Sequence, residues 1–138
     1  MSNEPGNPVD DSLIQRVRRR VLDRVAHDVV AQHLTVRGGA EGWQPFLPGI
    51  RCKVLYEQAG TLSYLLELAP GAVLPGHRHS QDEECLVLRG RLRIGDQLVV
   101  EEGDFHVGLA GVLHAPITTD AGALIFLRGA APDGRECI

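Results

Sequence analysis

The chain has 138 residues, 43% hydrophobic and 23% charged, with a net charge of −4. That length fits one domain with a real core, and the mild acidity gives no field that would draw nucleic acid. No apolar run nears the roughly 20 residues of a membrane span. Residues 1–10, polar and carrying Pro5 and Pro8, do not read as a secretory signal.

Residues 1–11 read as a disordered lead. Ser12 with Gln15 three residues on forms a capping-box pattern, and Asp10 and Asp11 suit a helix N-terminus. Leu13, Val17, Val21, Val25 and Val29 then recur at helical spacing, flanked by Ile14, Leu22, Val30 and Leu34. The pattern predicts one amphipathic helix over 12–34, in a helical segment bounded at 36, before Arg37-Gly38-Gly39 stops it. Arg16, Arg18, Arg19, Arg20 and Arg24 lie on its polar face. Five Arg against five Asp or Glu in residues 1–34 leave no net charge there, so a solvated face is the expectation. Docking on a partner, pairing of two protomers and lying as a lid on the following domain are the other roles open to it. His27 and His33 are six apart and do not share a helix face, so surface or packing roles are expected.

After Gly42 the period becomes two. Cys52, Val54 and Tyr56 alternate with Arg51, Lys53 and Glu57, and Leu62, Tyr64, Leu66 and Leu68 alternate with Ser63 and Glu67. Further short runs cover Glu84–Leu88, Arg91–Ile94, Leu98–Glu101, Phe105–Val107, Val112–Ala115 and Ala123–Arg128. Pro70-Gly71, Arg89-Gly90, Gly95-Asp96, Glu102-Gly103-Asp104 and Asp120-Ala121-Gly122 read as the turns between them. Many short strands at this spacing predict an all-β antiparallel sandwich or barrel over 43–132.

Within that region Gly71, His77, His79, Glu83 and Gly90 form one register, with His114 further on. His77 and His79, two apart, point to the same side of an extended strand, which suits a metal held by strands rather than by a helix. His106 follows Phe105 on a later strand. Alternation leaves it either at a barrel mouth, as an acid–base group, or outward in solvent. Cys52, Cys85 and Cys137 make an odd count with no CxxC, so no disulfide framework is expected and a reducing cytoplasm is.

These residues resemble the cupin superfamily. Its first motif, Gly, five residues, His-x-His, three or four residues, Glu, six residues, Gly, is met by Gly71, His77, His79, Glu83 and Gly90. Its second motif is met by Gly103, Gly111 and His114, while Leu109 replaces a proline and Thr118 an asparagine. The resemblance implies a double-stranded β-helix, a jelly-roll barrel preceded here by the helix, with metal ligands His77, His79, Glu83 and His114. Glu84 competes with Glu83, and the six-residue spacing to Gly90 selects Glu83. Glu84 should then point outward with Leu86 and Leu88, and Cys85 and Val87 inward, Cys85 as part of the wall. Three neutral imidazoles and one carboxylate leave a divalent ion near +1, with one or two open positions. Zinc is the first expectation for this one divalent transition metal, with iron, manganese, nickel or copper as alternatives.

A narrower resemblance comes from Trp43-Gln44-Pro45-Phe46-Leu47-Pro48-Gly49-Ile50, Lys53-Val54-Leu55, Ala69-Pro70-Gly71-Ala72 and Glu83 to Gly90 with Gly103-Asp104. These look like the cupin domain of ChrR-type anti-sigma factors, which implies zinc, a stress or ligand signal and a regulatory role. In that family a separate zinc domain with a His-xxx-Cys-xx-Cys motif holds the sigma factor. The motif is missing from this sequence, which counts against sigma-factor binding. Metal-dependent dioxygenases acting on small diketone-like substrates also resemble the site, with iron as metal and His106 or Glu84 as candidate proton-moving groups. Cupin barrels commonly pair, so the resemblance implies a homodimer, with a small-molecule ligand as a candidate partner, while the charge and the lack of a long apolar run point to no nucleic acid and no membrane.

Overall fold

The computed structural model describes residues 14–16, 18–19 and 32–131. Residues 14–16 and 18–19 are helical, as the apolar spacing predicts. The lead, His27 and the stripe residues Leu13, Val17, Val21, Val25 and Val29 lie outside the described residues. Gln32 adopts a φ of 58° and residues 33–37 have no regular structure, so Leu34 belongs to the connection and not to a helix.

The rest is strand. In chain order these are β1 (Trp43–Leu47), β2 (Ile50–Gln58), β3 (Thr61–Leu68), β4 (Val73–Leu74), β5 (His77–Arg78), β6 (Glu83–Ile94), β7 (Leu98–Glu101), β8 (Phe105–Gly108), β9 (Leu113–His114), β10 (Ile117–Thr118) and β11 (Ala123–Ala130). They pair in the order β1-β2-β3-β11-β6-β10-β4, with β7 and β8 also paired to β6 and a separate β5–β9 ribbon. Every strand pairing among the described residues is antiparallel, and the sheet wraps into a nearly closed barrel. Among the described residues, no helix is long and apolar enough to cross a membrane.

Alternation decides the inside. On β3, Leu62, Tyr64, Leu66 and Leu68 are buried while Thr61, Ser63, Leu65 and Glu67 are half-buried on the other face. Ile50, Val87, Leu92, Ile125 and Leu127 complete the apolar filling. Each such side chain contributes about 1.5–3 kcal/mol by leaving water. Between β2 and β3, Gln58 faces Thr61 and the two intervening residues, Ala59 and Gly60, have φ of 51° and 82°. Left-handed φ at both centres gives the turn whose twist matches a hairpin.

Two sequence expectations change here. Arg89-Gly90 is not a turn between two strands. Strand β6 runs unbroken through it, pairing first with β11 and β8 and then with β7 and β10. Gly90 makes that passage possible. Its φ is 84°, and a Cβ there would lie 2.3 Å from the carbonyl oxygen of Gly122. The second change is β1, a strand that precedes the first alternating run and contains a proline. It is an end strand of the sheet, and Pro45 lacks only the N–H that an edge can spare.

Candidate metal centre

The β5–β9 ribbon sets His77 directly opposite His114 as Cα partners. His79 follows just past the end of β5, with exposed Arg78 between the two buried histidines. The strand itself is only two residues long, yet the two-residue alternation survives beyond it. Glu83 opens β6 opposite Gly108 of β8. The β8–β9 connection is tied down at the same place. The Gly111 N–H donates to the His79 carbonyl (2.9 Å), the Ala110 N–H to Asp82 Oδ1 (2.8 Å), and Arg78 Nη1 to the Gly111 carbonyl (3.2 Å).

These connections bury four polar side chains together: His77 and His79 at 6% exposure, Glu83 at 5% and His114 at 9%. Burying so many polar groups is costly unless something binds them. Nδ1 of His77 lies 2.7 Å from the Pro75 carbonyl and Nδ1 of His114 lies 2.9 Å from the Ala115 carbonyl. A carbonyl only accepts, so both Nδ1 atoms carry the proton and both Nε2 atoms offer a lone pair. Nε2 of His79 is buried with no hydrogen-bond partner among the described residues and stands 3.4 Å from Glu83 Oε1. Two ligands on a tetrahedral ion with 2.0–2.1 Å bonds are about 3.4 Å apart, so this pair already has a metal-ligand spacing.

Among the described residues, one ligand atom each from His77, His79 and Glu83 lies within 4.8 Å of the others. His114 is set slightly apart. Its ring stacks on His77 at 5.2 Å, with 15° between planes, and lies 5.9 Å from His79. Burial and the neighbouring His77 and His114 rings hold His79 down at a pKa of about 4. Burial also lowers His114, against an opposing contribution from the Ala115 carbonyl, with His77 adding to the lowering. Both rings are therefore neutral at pH 7, the form a metal needs.

The other candidates divide. His106 turns inward, half-buried, its ring 5.6 Å from His114, and burial together with His114 lowers its pKa. Cys85 is its cross-strand partner on the same face, and burial, with Glu83 adding to it, pushes that thiol up to about 12. A protonated thiol is wall material. Glu84 faces out, 3.6 Å from Arg128, away from the histidines. His33 is exposed in the connection that precedes β1.

Two residues join the site that the motifs do not name. Tyr64, fully buried on β3, donates from its hydroxyl to Glu83 Oε2 at 3.1 Å. Alternation places Tyr64 inside, but nothing in the sequence pairs it with a residue 19 positions away. Gly108 is the other. A Cβ there would stand 2.8 Å from Cδ2 of His114, so only glycine lets that ring close over the strand.

The sequence pattern of the ChrR cupin-like domain matches residues 31–131. Among solved structures, an acetylacetone dioxygenase from Acinetobacter johnsonii superposes with a TM-score of 0.66 at 15% identity, over 73% of this chain and 76% of that one. The complex of Rhodobacter sphaeroides SigE with the anti-sigma ChrR gives 0.58 at 19% identity, over 83% and 79%. KdgF from a Halomonas species gives 0.57 at 21% identity, over 65% and 86%. At such identities the likeness is one of fold. No curated protein matches the sequence.

Proposed function

The chain belongs to the ChrR cupin-like domain family, and on that premise we propose that it is a metal-binding regulatory module that responds to a ligand or stress signal. His77, His79, Glu83 and His114 hold one divalent transition metal. The observation that carries this reading is the buried Nε2 of His79, without a hydrogen-bond partner among the described residues and 3.4 Å from a carboxylate oxygen. The donor set fits the ion: three imidazoles and a carboxylate suit zinc first, with iron, manganese or nickel accepted by the same atoms. When bound, the metal supplies a Lewis acid with room for an exogenous ligand. The chain's own part is to keep His79 and His114 neutral, fix the tautomers of His77 and His114 through the Pro75 and Ala115 carbonyls, and exclude bulk water.

On this reading the barrel over 43–132 is the sensing domain and the N-terminal segment that precedes residue 32 is a lid or the contact between two protomers of a homodimer. A cytoplasmic location is supported by Cys52 and Cys85, both free and buried. Metal analysis of untagged protein tests the centre: about one ion per chain is expected, and a metal-free protein that cannot be loaded with zinc, iron or manganese would sink it. Removing residues 1–35 tests the pairing role of the helix, which an unchanged oligomeric state would exclude.

A second reading has one specific support. His106 stands inside the barrel beside His114 as a neutral ring, where a group that moves protons to or from a bound substrate would stand. In that case the protein is an iron-dependent dioxygenase of small diketone-like substrates. Oxygen uptake by the iron-loaded protein on acetylacetone, lost in His106→Gln with metal retained, would favour the enzyme. Tight zinc and no uptake favour the sensor.

A further inference from the structure

The two oxygens of Glu83 have different surroundings. Oε1 faces Nε2 of His79 at 3.4 Å, whereas Oε2 accepts the hydroxyl of Tyr64 at 3.1 Å. Tyr64 sits in the middle of β3, with Val54 and Leu127 as its neighbours on either strand. Its ring is among the largest fully buried side chains. A tyrosine hydroxyl has a single proton to donate, and at this depth no bulk water offers another acceptor. A hydrogen bond to a carboxylate is also about twice as strong as one between neutral groups. The packing therefore aims one donor at one oxygen and holds it there.

We propose that Tyr64 is a positioning residue of the metal centre: its hydroxyl engages Glu83 Oε2, so that Glu83 presents only Oε1 to a divalent cation and a coordination position that a two-oxygen carboxylate would take stays open for an exogenous ligand. A carboxylate binds cations through one oxygen or two, and what its second oxygen touches decides between them. Glu83 alone does not fix the number of open positions; the donor on β3, across β11 from β6, does. The inference rests on the metal reading above and adds to it the residue that sets how much room the metal keeps.

The test uses the full-length protein and the variant Tyr64→Phe, which keeps the ring and removes the donor. Zinc affinity is measured by competition with a chromophoric chelator, and coordination is read from the visible spectrum of the cobalt(II)-substituted protein. The variant is expected to bind zinc about 10- to 100-fold more weakly. Its cobalt bands should weaken as Oε2 joins the metal and the coordination number rises, a change that loss of packing alone does not produce. Unchanged affinity together with an unchanged cobalt spectrum overturns the proposal while leaving the metal site intact. A wild-type protein that binds neither ion overturns the metal reading itself, and this inference with it. If Tyr64→Phe does not fold, the infrared difference spectrum of the wild type with and without zinc decides. A wide separation of the two carboxylate stretches, the mark of one-oxygen binding, is expected; a narrow one overturns the proposal.

Discussion

Glu83 and Leu92 lie on the same strand of the same barrel, at 5% and 0% exposure, yet their ends of β6 are built on opposite principles. Around Leu92 the interior is Ile94, Val100 and Ile117, side chains whose burial is favourable without any partner. Around Glu83 it is His77, His79 and His114, groups whose burial is unfavourable until something binds them. The apolar end stabilises the fold and so lets the polar end be held in an arrangement suited to a ligand. Gly90 is the joint between the two. Changes at one end should therefore affect stability, and changes at the other binding, with little exchange between them.

The largest effect should come from the joint itself. Gly90→Ala must relieve a 2.3 Å contact with the Gly122 carbonyl at a φ of 84°. A loss of about 3–5 kcal/mol in denaturant unfolding is expected, at the upper end for a single substitution. A loss within the ordinary surface range would mean that β6 does not depend on this passage. Next, Leu92→Ala should cost about 2–5 kcal/mol by opening a cavity and leave zinc affinity unchanged. Gly108→Ala should do the reverse. Its Cβ would meet His114 Cδ2 at 2.8 Å, so zinc affinity should fall by about tenfold or more with a small change in unfolding midpoint. If both variants lose stability and binding together, the division between the two ends fails.

A pH titration of the metal-free protein separates the ends more finely. His79 has an ordinary value of 6.5 when unfolded and about 4 when folded. The unfolded chain therefore takes up the proton first. The contribution of His79 to stability is present above 6.5 and is lost as pH falls through about 4. The loss should be smaller in His79→Gln and unaltered in Leu92→Ala. Smallest of all, Arg128→Ala removes an exposed pair with Glu84 on the outer face. It should cost about 0–1 kcal/mol and leave metal binding alone.

Much of this arrangement was legible in the residues. Period-two spacing from Cys52 onward gave an all-β sandwich or barrel, the cupin resemblance chose the barrel, and His77, His79 and Glu83 do lie together, with His114 facing His77. Glu84 and Cys85 fell on opposite faces because alternation along a strand is rigid. What stayed hidden has a common cause, which is that it depends on neighbours distant in sequence. Gly90 looks like a turn residue until the Gly122 carbonyl is placed against it. Gly108 and Tyr64 carry no motif, because their meaning lies in His114 and in Glu83 Oε2. The end of the helical segment is another case. Leu34 continues the apolar spacing, but Arg37 is drawn to the sheet, where its carbonyl accepts from buried Lys53 at 2.8 Å, and residues 33–37 run irregularly.

On the proposed function, a metal ion completes the polar end of the barrel. The most direct measurement is the unfolding temperature of the wild type and of His77→Ala/His114→Ala, each with saturating zinc and with excess chelator. Zinc at about a thousand times its dissociation constant adds about 4 kcal/mol to the native state, a rise of roughly 10 °C or more for a domain of this size. That rise is expected in the wild type and none in the double variant. Equal rises in the two proteins, or none in either, would contradict the metal reading.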